Sequence, residues 1–248
     1  MAQGHRVHVL DDLSTGSLEN ISPLINNPRL HFTHGSVLEP GTLDFLVREC
    51  DEIYHLGAVV GVKIVFEDPC RTIRVNVAGT ENALEAAVRY AKRILIASTS
   101  EVYGRDFDSR SKAFRESDSL SLGTSPRWSY ACSKALGEYL AISLHKKSGL
   151  PVVIARIFNT IGIRQSGAYG MVVPRLIEQA LSGQPITVYG DGEQTRTFIW
   201  VRDTVRALVG LMESSAAAGG IFNIGSEEEV RIEDVALKII DLRITNGI

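Results

Sequence analysis

The stretch "HRVHVLDDLSTG", residues 5–16, decides how the chain is read. Val7, Val9 and Leu10 form the apolar side of a short run that otherwise alternates with polar residues, the pattern of a half-buried strand. The run stops at two acids, Asp11 and Asp12, and enters the turn-forming "STG". A carboxylate at the end of a parallel strand is suited to accept hydrogen bonds from ribose hydroxyls. The stretch therefore reads as the second strand of an α/β dinucleotide-binding sheet. Such a strand normally follows a first strand, a glycine-rich turn and a helix, of which only a helix end, "MAQG", precedes it here.

Outward from this strand the chain alternates strand-like and helix-like patterns. "RLHFTHG" reads as a strand, "GTLDFLVREC" as a helix and "EIYHLGA" as a short buried strand. "DPCRTIRVNVAGTENALEAAVRYA" places Ile73, Val77, Leu84, Ala87 and Val88 at helical spacing. "KRILIAST" is a continuous apolar strand suited to a sheet covered on both faces, and "PVVIARIFN" is another. Between them "SYACSKALGEYLAISLHKKSG" reads as a long helix with a basic end and a glycine stop. The alternation predicts a doubly wound parallel sheet of Rossmann type, over residues 1–161, lacking its first strand and glycine-rich turn. Residues 162–248 read as a smaller α+β lobe: a helix in "YGMVVPRLIEQALSGQ", a strand and turn in "PITVYGDG", then strand–helix patterns to the end. The polar stretch from Arg105 to Arg127 is a long connection.

Bulk composition removes several classes of function. At 44% hydrophobic content, 248 residues suffice for a sizeable core. A formal charge of −3 provides no basic field for nucleic acid. No apolar run reaches the ~20 residues a membrane-spanning helix needs, and no signal peptide is visible. Cys50, Cys70 and Cys132 are an odd set without metal-ligand spacing, read as reduced thiols of a cytoplasmic protein. His31 and His34 are three apart on a strand and point to opposite faces, so no metal site is expected.

The chemistry-bearing pair is Tyr130 and Lys134 in "YACSK". Four residues apart on a helix, they share a face. An ammonium beside a phenol favours the phenolate, which makes Tyr130 a candidate general base or acid near neutral pH. By itself the spacing is common. Upstream, however, "RILIA" runs into "STSEVYG", placing Ser98, Thr99, Ser100 and Glu101 at the carboxyl end of a central strand, where open α/β sheets bind ligands.

With "VLDDLSTG", "IYHLGA", "NVAGTENALEAA", "STSEVYG", "YACSK", "RIFNTIGIRQ", "YGMVVPRL" and "YGDGEQTRTFIWVRD" in this order, essentially the whole chain resembles the extended short-chain dehydrogenase/reductases, the NAD-dependent sugar-nucleotide epimerases and dehydratases. The resemblance implies NAD as cofactor, with Asp11 and Asp12 at the adenosine ribose. No arginine follows closely in "DLSTGS" to meet a 2′-phosphate. It implies that Ser36 and Val37 lie near adenine, Ser36 standing where the family often has an aspartate. Leu56, Gly57 and Ala58 would pass under the cofactor, with Asn76, Ser98, Phe158, Tyr130 and Lys134 also facing it. His55 lines a strand end without a catalytic role. Thr99, Glu101, Tyr130 and Lys134 form the implied catalytic set. Tyr130 takes a proton from a sugar hydroxyl, Thr99 hydrogen-bonds the same hydroxyl, and Lys134 holds the nicotinamide ribose. For the substrate, Asn159 and Arg196 resemble diphosphate-binding residues, and Val172 and Tyr189 resemble residues of a uracil pocket.

The resemblance implies a UDP-sugar substrate and leads with a UDP-sugar 4-epimerase. A UDP-glucuronate decarboxylase or nucleotide-sugar dehydratase stands close behind, because the triplet "TSE" with Glu101 resembles theirs; a non-catalytic nucleotide-binding protein on the same fold is the remaining alternative. Family members commonly pair through a bundle containing the Tyr130 helix, so a homodimer is the implied assembly. With no G-x-x-G-x-x-G turn ahead of "HRVHVL" and an abrupt end at "DVALKIIDLRITNGI", the expectation is a piece of a longer gene product, cut at both ends. Such a piece would bind NAD poorly and expose strand edges prone to self-pairing.

Overall fold

The computed structural model describes residues 4–104 and 113–246. In chain order the elements are β1 (Val7–Asp11), β2 (Leu30–His34), α1 (Pro40–Arg48), β3 (Glu52–His55), α2 (Val62–Glu67), α3 (Pro69–Arg89) and β4 (Arg93–Thr99). They continue with α4 (Ser129–Ser148), β5 (Val152–Ile157), β6 (Thr160–Ile161), α5 (Val172–Leu181), β7 (Thr195–Thr197), β8 (Ile199–Trp200), α6 (Val201–Glu213), β9 (Ile221–Ile224), β10 (Glu229–Arg231) and α7 (Ile232–Asn246). The central sheet is parallel throughout, in the order β3-β4-β5-β9. β1 and β2 form a separate parallel pair. No ladder joins β1 to β3 among the described residues.

Period-two alternation in the central strands explains why both sheet faces are covered. On β4, Ile94 and Ile96 face one way, and on β5 so do Val152 and Ile154; these pack with Ala83, Leu84 and Ala87 of α3 and Ala141 of α4. The intervening Leu95, Val153 and Ala155 face the other way and pack with Leu208 and Met212 of α6. Helices on both faces of a parallel sheet make the doubly wound α/β architecture that the sequence predicts. Local signals fix the helices. Asp68 caps α3, accepting from the Arg71 N–H at 2.8 Å, with Pro69 in the first turn. Gly149 ends α4 in the left-handed region (φ 72°), after a last turn carrying His145, Lys146 and Lys147. Glycine also brings α3 against the strand-end loops: a Cβ at Gly79 would lie 2.6 Å from Val37 Cγ2.

From the later part of the chain, α6 covers one face of the central sheet and β9 joins it as the neighbour of β5. The structure departs from the sequence reading in one element. "PITVYGDG" forms no ladder. Its Thr187 is held instead by α5 side chains: Gln179 Oε1 accepts from its N–H at 3.1 Å, and Gln179 Nε2 donates to its hydroxyl at 2.6 Å. Of the Arg105–Arg127 connection, residues 105–112 lie outside the described residues. Beyond them the segment returns to the sheet edge, with Phe114 stacked on Tyr103 at 4.6 Å between ring centroids.

The same alternation sends Ser98 and Arg156 to the α4 face, where they meet the buried Glu138. Arg156 Nη2 donates to Glu138 Oε2 at 2.7 Å and its Nε donates to Oε1 at 2.9 Å, while the Ser98 hydroxyl also donates to Oε1. Arg156 Nη1 donates to the Tyr103 hydroxyl at 2.8 Å, and Tyr103 donates to Asn223 Oδ1 at 2.7 Å. A buried pair of this kind contributes little against an apolar replacement of both partners, yet breaking it leaves an uncompensated charge. Arg156→Met is therefore expected to destabilise the protein by about 3–5 kcal/mol. Replacing both partners (Arg156→Met with Glu138→Leu) should recover much of that loss. Urea unfolding of the three proteins checks this, and equal midpoints for the single and double variants would contradict it.

Candidate active site

The carboxyl ends of the parallel strands converge on one edge of the sheet, where β4 ends at Thr99. Thr99 caps a short 3-10 turn, Ser100–Tyr103, its hydroxyl accepting from the Glu101 N–H at 3.2 Å. Opposite, a second 3-10 turn, Pro126–Trp128, leads directly into α4 and places Tyr130 in the helix's first turn. The Thr99 hydroxyl acts on the Tyr130 phenol, lowering its pKa. One turn on, the buried Lys134 lies with its Nζ 6.0 Å from the Tyr130 ring centroid. The structure thus brings Thr99, Glu101, Tyr130 and Lys134 to one place.

Their electrostatics differ from the simple expectation. The Tyr130 phenol is pushed above its ordinary range, first by burial and then by the Glu101 carboxylate, with the Thr99 hydroxyl opposing. Lys134 does not make it acidic in this structure, because the amine donates to the Ala97 carbonyl at 2.8 Å and burial lowers its pKa to about 8. Glu101 is raised by desolvation, with the Arg127 guanidinium opposing. His55, at the end of β3, is held neutral: burial, helped by Lys134, lowers its pKa to about 3, and Nε2 lies 3.1 Å from the Thr80 hydroxyl.

At the end of β1, Asp11 Oδ1 accepts from the Leu13 N–H at 2.7 Å. A Cβ at Gly16 would sit 3.1 Å from that same oxygen, so glycine there leaves the carboxylate approachable. Asp12 is lowered by hydrogen bonding from Ser14 and is exposed beside it. The Ser36 hydroxyl is occupied by the Leu38 N–H at 3.2 Å. Val37 packs near Gly57 and Gly79, and Leu56 is exposed just beyond β3. An acid ending a strand, the Gly16 cradle and the open Leu56–Ala58 segment fit a dinucleotide.

Asn76 and Ser98 are both bonded within the protein. Asn76 is buried with its amide spent inside the protein: Oδ1 accepts from the Val59 N–H at 2.7 Å, and Nδ2 donates to the Val59 carbonyl at 3.2 Å and Ser133 Oγ at 3.1 Å. It clamps the loop after β3. The Ser98 hydroxyl is likewise spent on Glu138, because its alternation directs it to α4. Phe158 abuts Gly225 and donates its N–H to the Ile224 carbonyl at 2.9 Å.

A cleft of about 150 Å³ brings together Val172, Tyr189 and Arg196 with Gly170, Arg175, Gln194 and Ile232. Asn159 does not line it; its amide donates to the Thr197 carbonyl at 3.0 Å. Sequence reasoning missed Arg175, whose guanidinium lies 4.2 Å from the Tyr189 ring centroid. The signal was available: Arg175 is three residues after Val172, on the same face of α5. Among the described residues no group of three or more His, Cys, Asp or Glu is arranged to hold a metal, and no helix is long and apolar enough to cross a membrane.

Residues 1–225 match the model of the NAD dependent epimerase/dehydratase family. The chain belongs to that family. It is 39% identical over 243 residues to the UDP-N-acetyl-alpha-D-glucosaminuronate decarboxylase of Bacillus cytotoxicus, covering 97% of this chain and 73% of that one. With UDP-glucuronic acid decarboxylase 1 of Arabidopsis thaliana it shares 38% identity over 97% of this chain and 54% of that one. The chain thus spans about half the length of this plant relative. Among solved structures, the UDP-glucuronic acid 4-epimerase of Bacillus cereus, in complex with UDP-glucuronic acid and NAD, superposes with a TM-score of 0.86 at 31% identity, covering 99% of this chain and 76% of that one. The Rossmann-type fold class and NAD as the family's cofactor stand as the sequence predicts, within a family of nucleotide-sugar enzymes.

Burial of Lys134 has a measurable signature. Its folded pKa lies below the unfolded value, so the unfolded state binds the extra proton between pH 8 and 10.5. Stability therefore rises with pH across that window, by about 3 kcal/mol, and the cost of the buried charge is fully present below it. Lys134→Met is expected to abolish this slope. Denaturant unfolding from pH 7 to 11 measures it, and parallel wild-type and variant curves would refute the assignment.

Proposed function

We propose that the chain carries the active site of an NAD-dependent UDP-hexuronate decarboxylase. The sequence reading put a UDP-sugar 4-epimerase first. The curated relatives favour the alternative, and the observation that carries it is Glu101, a carboxylate with a raised pKa that acts on the Tyr130 phenol. A simple 4-epimerase needs the hydroxyl–phenol pair but no such acid.

In this reading Asp11 holds the adenosine ribose, the Leu56–Ala58 segment passes beneath the cofactor, and Lys134 serves the nicotinamide ribose. NAD, when bound, supplies a hydride acceptor that later returns the hydride. Tyr130 takes the proton of the sugar C4 hydroxyl as hydride leaves C4, and Thr99 holds the same oxygen. The resulting 4-ketone stands beta to the C6 carboxylate. The C5–C6 bond breaks, carbon dioxide departs, and the electron pair is delocalised onto the C4 oxygen as an enolate. Glu101, whose carboxyl is raised by burial, delivers a proton to C5. Tyr130 returns its proton to O4 as the ketone is reduced. Val172, Tyr189 and Arg196, with Arg175, receive the uridine diphosphate, the guanidinium groups suiting phosphate oxygens. A homodimer through the outer faces of α3 and α4 belongs to the same reading, supported by the exposed Ile73, Leu136 and Tyr139. The three free cysteines support a cytoplasmic setting.

Incubation with NAD and either UDP-glucuronate or UDP-glucose separates the reactions. The expected products from UDP-glucuronate are carbon dioxide and a UDP-pentose, with Tyr130→Phe slower by about 10²–10⁴-fold. Conversion of UDP-glucose to UDP-galactose, without carbon dioxide from the uronate, would restore the epimerase reading.

A further inference from the structure

A carboxylated sugar creates an electrostatic difficulty in this site. The Glu101 carboxylate already faces Tyr130, and a substrate carboxylate brought beside it adds a like charge. Some cation has to receive that charge. Lys134 is buried and donates to the Ala97 carbonyl behind the phenol. The other cation whose charge reaches Glu101 is Arg127.

Arg127 is built into position. It sits in the 3-10 turn Pro126–Trp128, three residues before Tyr130, and the chain passes from that turn into α4 without a break, Trp128 and Ser129 both having helical backbone angles. This geometry puts Arg127 and Tyr130 on adjacent positions of one face. Its guanidinium lies over the Trp128 ring, 4.8 Å from the centroid, a stack that orients the planar fork. The indole is itself backed by the chain at Gly123, where a Cβ would meet Trp128 Nε1 at 2.2 Å. In the same turn Ser129 buries its hydroxyl without a hydrogen-bond partner.

We propose that Arg127 is the specificity-determining residue of the site, the cation that receives the C6 carboxylate of a hexuronate and so separates uronate-bearing nucleotides from neutral hexoses. This rests on the uronate reading given above. A guanidinium matches a carboxylate with two parallel hydrogen bonds, and a site built around one discriminates strongly against a ligand lacking that group. The pairing also links recognition to chemistry. Once Arg127 pairs with the substrate carboxylate, less of its positive charge opposes protonation of Glu101.

The test is calorimetric titration of the full chain, in the presence of NAD, with UDP-glucuronate and with UDP-glucose. Wild type should prefer the uronate by at least about tenfold. Arg127→Gln should erase that preference by weakening the uronate alone, and Arg127→Lys should retain part of it, because a point charge replaces a fork. Far-UV circular dichroism and thermal melts identify any folding loss, which Arg127→Lys is chosen to avoid. If Arg127→Gln weakens both nucleotides equally, or neither, the proposal for Arg127 is overturned while the uronate reading stands. If wild type binds UDP-glucose as well as or better than UDP-glucuronate, or binds neither, the uronate reading itself fails and takes Arg127 with it.

Discussion

A single polar stripe on α4 sets the geometry on which the site depends. Tyr130, Lys134 and Glu138 follow one another at four-residue spacing, so they share a face, and that face lies over the carboxyl ends of β4 and β5. Lys134 is tied to the Ala97 carbonyl, and Glu138 to Ser98 and Arg156. These groups are buried, and a buried donor or charge left without its partner costs several kcal/mol. The helix therefore has one acceptable rotation and one acceptable height against the sheet. A shift of one turn would put Lys134 opposite Ser98 or Glu138 opposite an apolar position. The two residues below it on the stripe hold Tyr130 at the end of β4, beside Thr99.

The burial that secures this stripe also governs its proton chemistry. Taking Tyr130 and Lys134 out of water disfavours the charged form of each, so the phenol goes up and the amine comes down. Proximity alone would predict the opposite for the phenol. Direction decides the outcome, since the amine points at a backbone carbonyl while the Glu101 charge reaches the phenol. The two acids are coupled: an ionised Glu101 adds to the burial that holds Tyr130 as phenol, and protonation of Glu101 removes that part of the restraint. Both groups are tuned in the same direction, and the charge left on Glu101 when it gives up a proton raises Tyr130 further.

Most of the sheet was legible in the sequence because β4 and β5 are apolar on both faces and their bounding helices carry strong caps, as at Asp68 and Gly149. The gathering of Thr99, Tyr130 and Lys134 was legible for the same reason: a strand ending and a helical spacing suffice to place them. Long-range choices were not. Nothing local in "IFNI" says that β9 pairs with β5 and not within the later lobe, since that depends on α6 finding the face formed by Leu95, Val153 and Ala155. Asn76 reads as an inward-facing polar residue, and only the fold reveals that it bonds the Val59 backbone, 17 residues earlier. "PITVYGDG" has a strand's composition, but its Thr187 N–H is taken by Gln179 of α5.

The network that docks α4 also fixes the turn carrying Glu101, so acid and phenol are not positioned independently. That turn is pinned at its start by Thr99, which caps it, and at its end by Tyr103, whose hydroxyl accepts from Arg156 and donates to Asn223. Immediately after it Gly104 leaves at φ 75°, where a Cβ would lie 2.0 Å from the Ser121 carbonyl oxygen. Glu116 closes the far side, its carbonyl accepting from Arg156 and its carboxylate from the Asn223 N–H. Arg156 thus bridges Glu138, which sets the height of Tyr130, and Tyr103, which sets the turn of Glu101. A change in the ion pair therefore reaches the supports of both groups at once.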